Sequence, residues 1–357
     1  MKRPSPFRPQ LPGETSLSVF DCETRTAAVH HFALRFLAVV FLLTALPGIA
    51  RPQASSTSQN RPGQQPTFRL ETDLVVLHAT VQNQRGVLVS GLEKSDFQVY
   101  EDGALQQIKH FSHEDIPVTV GLVIDNSGSM RPKRSHVIAA ALAFARSSNS
   151  QDQMFVVNFN ERVSFGLPAA IPFTDQVPQL ELALAKFAAD GETALYDAVA
   201  VALDHLNKGN RDKKVLVVIS DGGDNASRNN LAKVIAMARQ PGTIIYTIGL
   251  FDETDEDRNP KVLKQLAHET GGETFLPTAI KEVVPICERI ARDIRNQYTI
   301  TYVPTNKNQD GAYRAIEVKA AAHGQGALQV RTRAGYYART GVQSMPQPAP
   351  PEKGGRP

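Results

Sequence analysis

Tryptophan is absent from the 357 residues, aromatic side chains make up only 7% of them, and there are two cysteines, Cys22 and Cys287. Two thiols cannot supply a disulfide framework or a four-cysteine zinc site, and a chain trimmed of Cys22 would keep one thiol and no internal disulfide. The formal charge is only +3, which gives no electrostatic footprint for nucleic acid. No uncharged run reaches the roughly 20 residues of a comfortable membrane span. What is present is a composition of 41% hydrophobic and 21% charged residues, the range of soluble globular proteins rather than disordered, collagenous or many-span ones. At roughly 100 to 200 residues per domain, the chain has room for two folded units plus tails.

The longest apolar stretch, Phe36 to Ala50, follows basic residues and ends in Gly48 and Ala50, small side chains of the kind found before a signal-peptide cut. Residues 1–50 are therefore expected to be a signal peptide, cleaved after Ala50 or retained as an anchor, and the protein to be exported to the periplasm or beyond the cell. The membrane would be touched only through this segment if it stays uncleaved. Residues 51–67, rich in Ser, Gln and Pro with almost no apolar residue, are expected to be a flexible linker, and 339–357 a disordered tail.

Between these lie three patterns. Residues 68–116 alternate like strands, with expected strands around Leu74 to Ala79, Val87 to Leu92 and Phe97 to Glu101. Asp102-Gly103 signals a hairpin whose second arm runs from Leu105 to Phe111. Residues 117–296 change to short, wholly apolar runs at Val118–Ile124, Met154–Phe159, Lys214–Ser220 and Thr243–Leu250, with a short fifth at Glu273–Leu276. Runs of this kind suit a sheet buried on both faces. Helices are expected between them, at Arg134–Ser147, Val177–Ala189, Leu195–Lys208, Asn229–Arg239, Pro260–Glu269 and Ile280–Asn296. The expected fold class is α/β, a doubly wound, mostly parallel sheet. Residues 297–338 return to strand chemistry at Gln297–Val303, Tyr313–Ala320 and Ala327–Arg333. The α/β domain then reads as an insertion between N- and C-terminal β segments that together form a small β-sandwich.

The chemistry gathers at strand ends, where open α/β sheets bind ligands. The first apolar strand runs into Asp125-Asn126-Ser127-Gly128-Ser129, the third into Ser220-Asp221-Gly222-Gly223-Asp224, and Gly191-Glu192-Thr193 precedes a helix on the same edge. Asp125, Ser127 and Ser129 sit at every second position and can point to one side of the loop. With Thr193 and Asp221 they form an all-oxygen set suited to Mg²⁺, with Mn²⁺ or Ca²⁺ as alternatives, rather than to zinc or copper. Two carboxylates only balance such an ion, so it would still attract an anion, and an exposed Asp or Glu on a partner protein fits. The competing reading is plain turn chemistry, with Ser129 or Ser135 capping the next helix.

Asp125-x-Ser127-x-Ser129, then Thr193, then Asp221 in Ser-Asp-Gly, resembles the metal-ion-dependent adhesion site of von Willebrand factor A-type (VWA) domains. The resemblance implies direct metal contacts from Ser127 and Ser129, a direct or water-mediated one from Thr193, and water-holding roles for Asp125 and Asp221. The flanking Asp96-Phe97-Gln98-Val99-Tyr100-Glu101-Asp102-Gly103 and Arg333-Ala334-Gly335-Tyr336-Tyr337 also resemble the bacterial VWFA-related group of acidobacterial type. The implied function is a non-enzymatic, metal-dependent protein-binding module of adhesion type. The alternatives are a structural component of an envelope or surface assembly that binds through the sandwich, and a metal-dependent hydrolase. No G-x-S-x-G elbow, H-E-x-x-H pair or P-loop supports the last of these.

Asn126 and Asp224 are expected to steady the site from behind, with Asn225, Asn158 and Asn160 in similar or turn-forming roles. The acidic run Asp252 to Asp257 reads as a solvated loop. His205 and His268 read as ordinary helix residues, and Cys287 as a buried, inert thiol.

Overall fold

The computed structural model describes residues 74–240, 242–251 and 258–340. The expected leader, the linker, the acidic run Asp252–Asp257, Cys22 and all of the tail beyond Thr340 lie outside the described residues. All that is described belongs to one of the chain's two compact units, Phe68–Pro357.

The chain opens with β1 (Val75–Asn83), whose Val75, Leu77, Ala79 and Val81 are buried at alternate positions. Strands β2 (Phe97–Glu101) and β3 (Ala104–Gln106) form a hairpin closed by Asp102 (φ 48) and Gly103 (φ 79). Two successive positive φ angles are what a two-residue I′ turn requires. β4 (Ile108–Ser112) follows.

The α/β domain then begins with β5 (Val118–Asp125), buried at every position. It continues through α1 (Arg134–Ser147), β6 (Gln153–Phe159), β7 (Val163–Phe165), α2 (Val177–Ala185), α3 (Leu195–Leu206) and β8 (Lys213–Ser220). α4 (Leu231–Arg239), β9 (Ile244–Gly249), α5 (Pro260–Thr270), β10 (Thr274–Phe275) and α6 (Val283–Arg295) complete it. The sheet order is β10-β9-β8-β5-β6-β7, parallel except for β7. α1 packs on α2 and α6, and α4 touches both α3 and α5, which provides the helical cover that the apolar strands require. From β5 the chain moves one way to β6 and later the other way from β8 to β9, so the strand order reverses beside β5. The crevice at the carboxyl ends of β5 and β8 is therefore where a doubly wound sheet takes ligands.

Gly121 lies in the middle of β5, where an added Cβ would stand 2.5 Å from Phe155 Cζ and 2.6 Å from Leu216 Cδ2. Both neighbours sit in the core, so Gly121→Ala is expected to destabilise by about 1–3 kcal/mol through overpacking. Urea unfolding should show a lower midpoint at an unchanged m-value.

Four C-terminal strands close the structure: β11 (Tyr298–Tyr302), β12 (Tyr313–Ala320), β13 (Leu328–Arg331) and β14 (Gly335–Tyr337). They interleave with the N-terminal ones in two antiparallel sheets, β13-β1-β11-β4 and β14-β12-β2-β3. Between the sheets lies a second hydrophobic core that includes Leu77, Phe97, Val99, Tyr298, Ile300 and Val318. Neither flank could bury it alone. This is the composite sandwich expected from the strand patterns.

Several local expectations are corrected. The arm expected from Leu105 to Phe111 is divided, because β3 pairs with β2 in one sheet and β4 with β11 in the other, the chain crossing over at Gln107. The strand expected at Val87–Leu92 forms only a bridge, Gln82 with Leu88. Its backbone groups are satisfied partly by β1, with Val89 N donating to Val81 O and Asn83 N to Val87 O, and partly by Tyr298, whose hydroxyl accepts from Leu92 N at 3.1 Å and donates to Val89 O at 2.9 Å. α2 stops at Ala185 and α3 at Leu206, and Ile280–Glu282 is a 3-10 turn rather than the first turn of α6.

Sandwich and α/β domain are joined by polar contacts. Gln297 Nε2 donates to Thr80 Oγ1 and Tyr246 Oη. Arg331 Nη2 meets Glu273 at 2.9 Å and Asp293 at 3.3 Å.

Candidate functional site

β5 delivers Asp125 to the sheet edge and β8 delivers Ser220 and Asp221 beside it. Asp125 Oδ1 accepts from Ser127 N at 2.8 Å, and its Oδ2 accepts from Ser220 Oγ at 2.6 Å. Ser220 Oγ in turn accepts from Gly222 N at 3.0 Å. The two strand-end loops are thus fastened together through one buried carboxylate. Ser129 Oγ donates to Asp221 Oδ2 at 2.5 Å and lies 3.1 Å from Ser127 Oγ. Four of the five oxygen residues, Asp125, Ser127, Ser129 and Asp221, are therefore linked in a single hydrogen-bonded group. Neither serine caps a helix: α1 has Lys133 at its N-cap with no side-chain cap bond, and Ser127, at the N-cap of the preceding 3-10 turn, makes none either.

Thr193 arrives on the loop before α3, and its side chain makes no hydrogen bond to those four. Its loop is tied to theirs by the backbone, Gly128 N donating to Gly191 O at 3.1 Å and Asp190 N to Asn126 O at 2.9 Å. Thr193 N donates to Asn225 Oδ1 at 2.8 Å, and its carbonyl accepts from Asn225 N and Ala226 N. Asp224 serves the same loop, its Oδ2 accepting from Tyr196 N at the start of α3. Asn126 bonds Ile124 O and Asn158 Oδ1 through Nδ2 and accepts from Arg134 Nη1 at 2.7 Å. Asn160 Nδ2 donates to Asp190 O. The amides brace the loops and lie behind the hydroxyls.

The donor set fits a hard divalent cation, which prefers oxygen ligands. Burial and the nearby Asp221 carboxylate push the Asp125 carboxyl up to about 7, against the hydrogen bonds from Ser127 and Ser220 that lower it. A cation beside Asp125 would offset the repulsion from Asp221 and favour the ionised form. Among the described residues no three His, Cys, Asp or Glu side chains form a group that could hold a metal; three of the five candidate side chains, Ser127, Ser129 and Thr193, are hydroxyls.

Residues 120–224, from β5 through the loop after β8, match the family model of the von Willebrand factor type A domain. The chain carries a von Willebrand factor type A domain. No curated protein matches the sequence. Among solved structures, a von Willebrand factor type A protein from Catenulispora acidiphila is similar at 15% identity and a TM-score of 0.46, over 76% of this chain and 75% of that one. The von Willebrand factor domain of a type V pili tip protein from Porphyromonas gingivalis is similar at 14% identity and TM-score 0.43, over 50% of this chain and 95% of that one. The pilus adhesin SpaC from Lactobacillus rhamnosus GG, in an open conformation, is similar at 11% identity and TM-score 0.41, over 68% of this chain and 47% of that one.

Around the VWA site, two contributors were not singled out in the sequence. Ser220 is the second fastener of Asp125, and Arg134 holds Asn126 while donating to the carbonyls of Leu184 and Ala185. Arg134 carried a signal: a cation in the first turn of a helix opposes the macrodipole, so something else must favour it.

The remaining candidates take other roles. His205 is buried, packed among Phe155, Phe165 and Phe173, and its Nε2 lies 2.8 Å from Pro172 O. Cys287 is fully buried in α6, and burial pushes its thiol up to about 12. In the folded VWA domain it should resist a thiol-disulfide reagent near neutral pH and react only after denaturation. Rapid titration of one thiol in a fully folded Cys22→Ala chain would contradict this.

Proposed function

We propose that the protein is an exported, non-enzymatic binding module whose VWA site holds a divalent cation, Mg²⁺ foremost, and captures an acidic side chain of a partner protein. The observation that carries the reading is the interlocked group of Asp125, Ser127, Ser129 and Asp221, with Thr193 on the adjoining loop, at the strand-order reversal of the sheet. The chemistry such an ion supplies is a coordination position for an incoming carboxylate oxygen.

The residues of the chain do the rest. Ser127 and Ser129 offer hydroxyl oxygens on a loop that Asp125 fixes through Ser127 N and Ser220. Asp221 accepts the hydrogen bond of Ser129 Oγ, which leaves that oxygen's lone pairs free for a cation. Asn225 pins Thr193 by its backbone. Binding is favoured over catalysis because Ser127 bonds Ser129 and no histidine base, while Cys287 is sealed in the core. Export rests on the apolar run before Ala50; among the described residues no helix is long and apolar enough to cross a membrane.

Selection of a displayed random-peptide library against the full chain tests the reading. Binders recovered in Mg²⁺ should carry Asp or Glu, release in EDTA and fail on Ser127→Ala. Binders that ignore EDTA and that substitution would overturn it and favour the sandwich as the binding element.

A further inference from the structure

A cavity of about 570 Å³ lies where the sandwich meets the α/β domain, away from the VWA site. Its volume falls within the roughly 300–1,000 Å³ of small-molecule sites. Its wall includes His78 of β1, Thr301 of β11, Arg314 of β12, Arg333, Tyr336 of β14 and, from the α/β domain, Asp212. Arg333 and Tyr336 come from the C-terminal motif that the VWA site leaves unused.

The charges do not balance. Arg314 is matched by Asp310 at 3.0 Å and Asp102 at 3.8 Å. His78 is neutral, since burial, with Lys213 and Arg333 nearby, pushes its pKa down to about 3. Arg333 makes no ion pair with any described residue, and its Nε is sealed from solvent without a hydrogen-bond partner. Its guanidinium stacks over Tyr336 at 5.3 Å. Glu101, the buried carboxylate behind that ring, accepts from the hydroxyls of Tyr302 at 2.7 Å and Tyr336 at 2.9 Å through Oε2 alone; its Oε1 has no hydrogen-bond partner, and it forms no ion pair with Arg333. Gly242, at φ +68, leaves the guanidinium room: an added Cβ would stand 3.3 Å from Arg333 Nη1.

Burying an unpaired guanidinium is unfavourable, and an apolar side chain would fill the same space without that cost. A planar fork of donors in a cavity instead suits a planar oxyanion, which it can bind through two parallel hydrogen bonds. We propose that this cavity is a second binding site, which takes a small organic carboxylate clamped by Arg333, with Tyr336 covering the guanidinium and Thr301 offering a hydroxyl.

The test is thermal melting of the full chain with benzoate and succinate as probes, against chloride at equal ionic strength, beside Arg333→Met and Arg333→Lys. The carboxylates should raise the melting temperature saturably, Arg333→Lys should bind about tenfold more weakly for want of the fork, and Arg333→Met should show no response. The ligand-free Arg333→Met chain should melt at or above the parent temperature, because an unmatched charge has gone. Asp221→Ala should keep the response, which separates this site from the VWA site. No stabilisation by either carboxylate, an equal response in Arg333→Met, or a large drop in its ligand-free melting temperature would overturn the proposal; the last would make Arg333 a structural counter-charge to Glu101.

Discussion

Arg331→Met is expected to lower the stability of the full chain by about 3–5 kcal/mol in alkaline buffer at pH ~9, where Asp293 is ionised and the variant leaves a buried charge without its partner. At pH ~7 the loss should be about 1–2 kcal/mol, because the carboxyl can take up a proton instead. Asp293 is buried on α6, and Arg331 reaches it from β13 at 3.3 Å while also meeting Glu273 at 2.9 Å. Glu273 keeps a second partner in Arg289 at 2.9 Å, so the loss falls on Asp293. Burial pushes the Asp293 carboxyl up to about 6, with Arg331 and then Arg289 drawing it down. Without Arg331 it rises further. A folded pKa above the unfolded one means that the folded state binds the extra proton, so the variant's added penalty is full above its own raised pKa and fades as pH falls toward 6 and below, where the carboxyl is protonated with or without Arg331. Urea unfolding on either side of pH 6 should show a large loss on the alkaline side and a smaller one on the acid side. Adding Asp293→Asn should restore most of it. An equal loss at both pH values, or no rescue, would mean that Arg331 acts through packing alone.

The second large effect is a crossover at Asp125. In metal-free buffer above neutral pH, Asp125→Asn is expected to melt at or above the temperature of the parent chain, because it removes a buried charge pressed against Asp221 and keeps an oxygen to accept a hydrogen bond. In Mg²⁺ the order should reverse. A ligand at a hundred times its Kd stabilises the folded state by about 2.7 kcal/mol, roughly 5–10 °C for a domain of this size, and only the parent should gain it. A variant that falls equally in EDTA and in Mg²⁺ would make Asp125 merely a fastener of two loops.

Much of this was legible in the sequence for identifiable reasons. The strands of the α/β domain are continuous Val and Ile runs such as Val215–Ile219, a pattern that burial on both faces imposes. Asp102-Gly103 announced its turn because few residues adopt two positive φ angles in succession. The spacing of Asp125, Ser127 and Ser129 marked the loop, and the fold brought Asp221 to it through the adjacent strand.

What was missed depended on tertiary partners. Nothing local in Val87–Leu92 shows that a tyrosine some two hundred residues away bonds Leu92 N and Val89 O. The change of sheet at Gln107 follows from where β11 and β2 lie, and short strands such as β7 carry too few residues for a period to emerge. Arg333 was visible only as part of a motif. Its lack of an ion pair depends on tertiary neighbours, since Arg314 takes Asp310 and Glu101 is held through one oxygen by two tyrosine hydroxyls.

The central claim is that the oxygens at the β5 and β8 strand ends hold a divalent cation. Calorimetric titration of the full chain with Mg²⁺ tests it most directly, beside a chain carrying both Ser127→Ala and Ser129→Ala and shown by circular dichroism to be folded. The account predicts saturable binding at one site in the parent and none in the double variant. Binding of equal strength in both chains, or no binding in the parent at millimolar Mg²⁺, would contradict it.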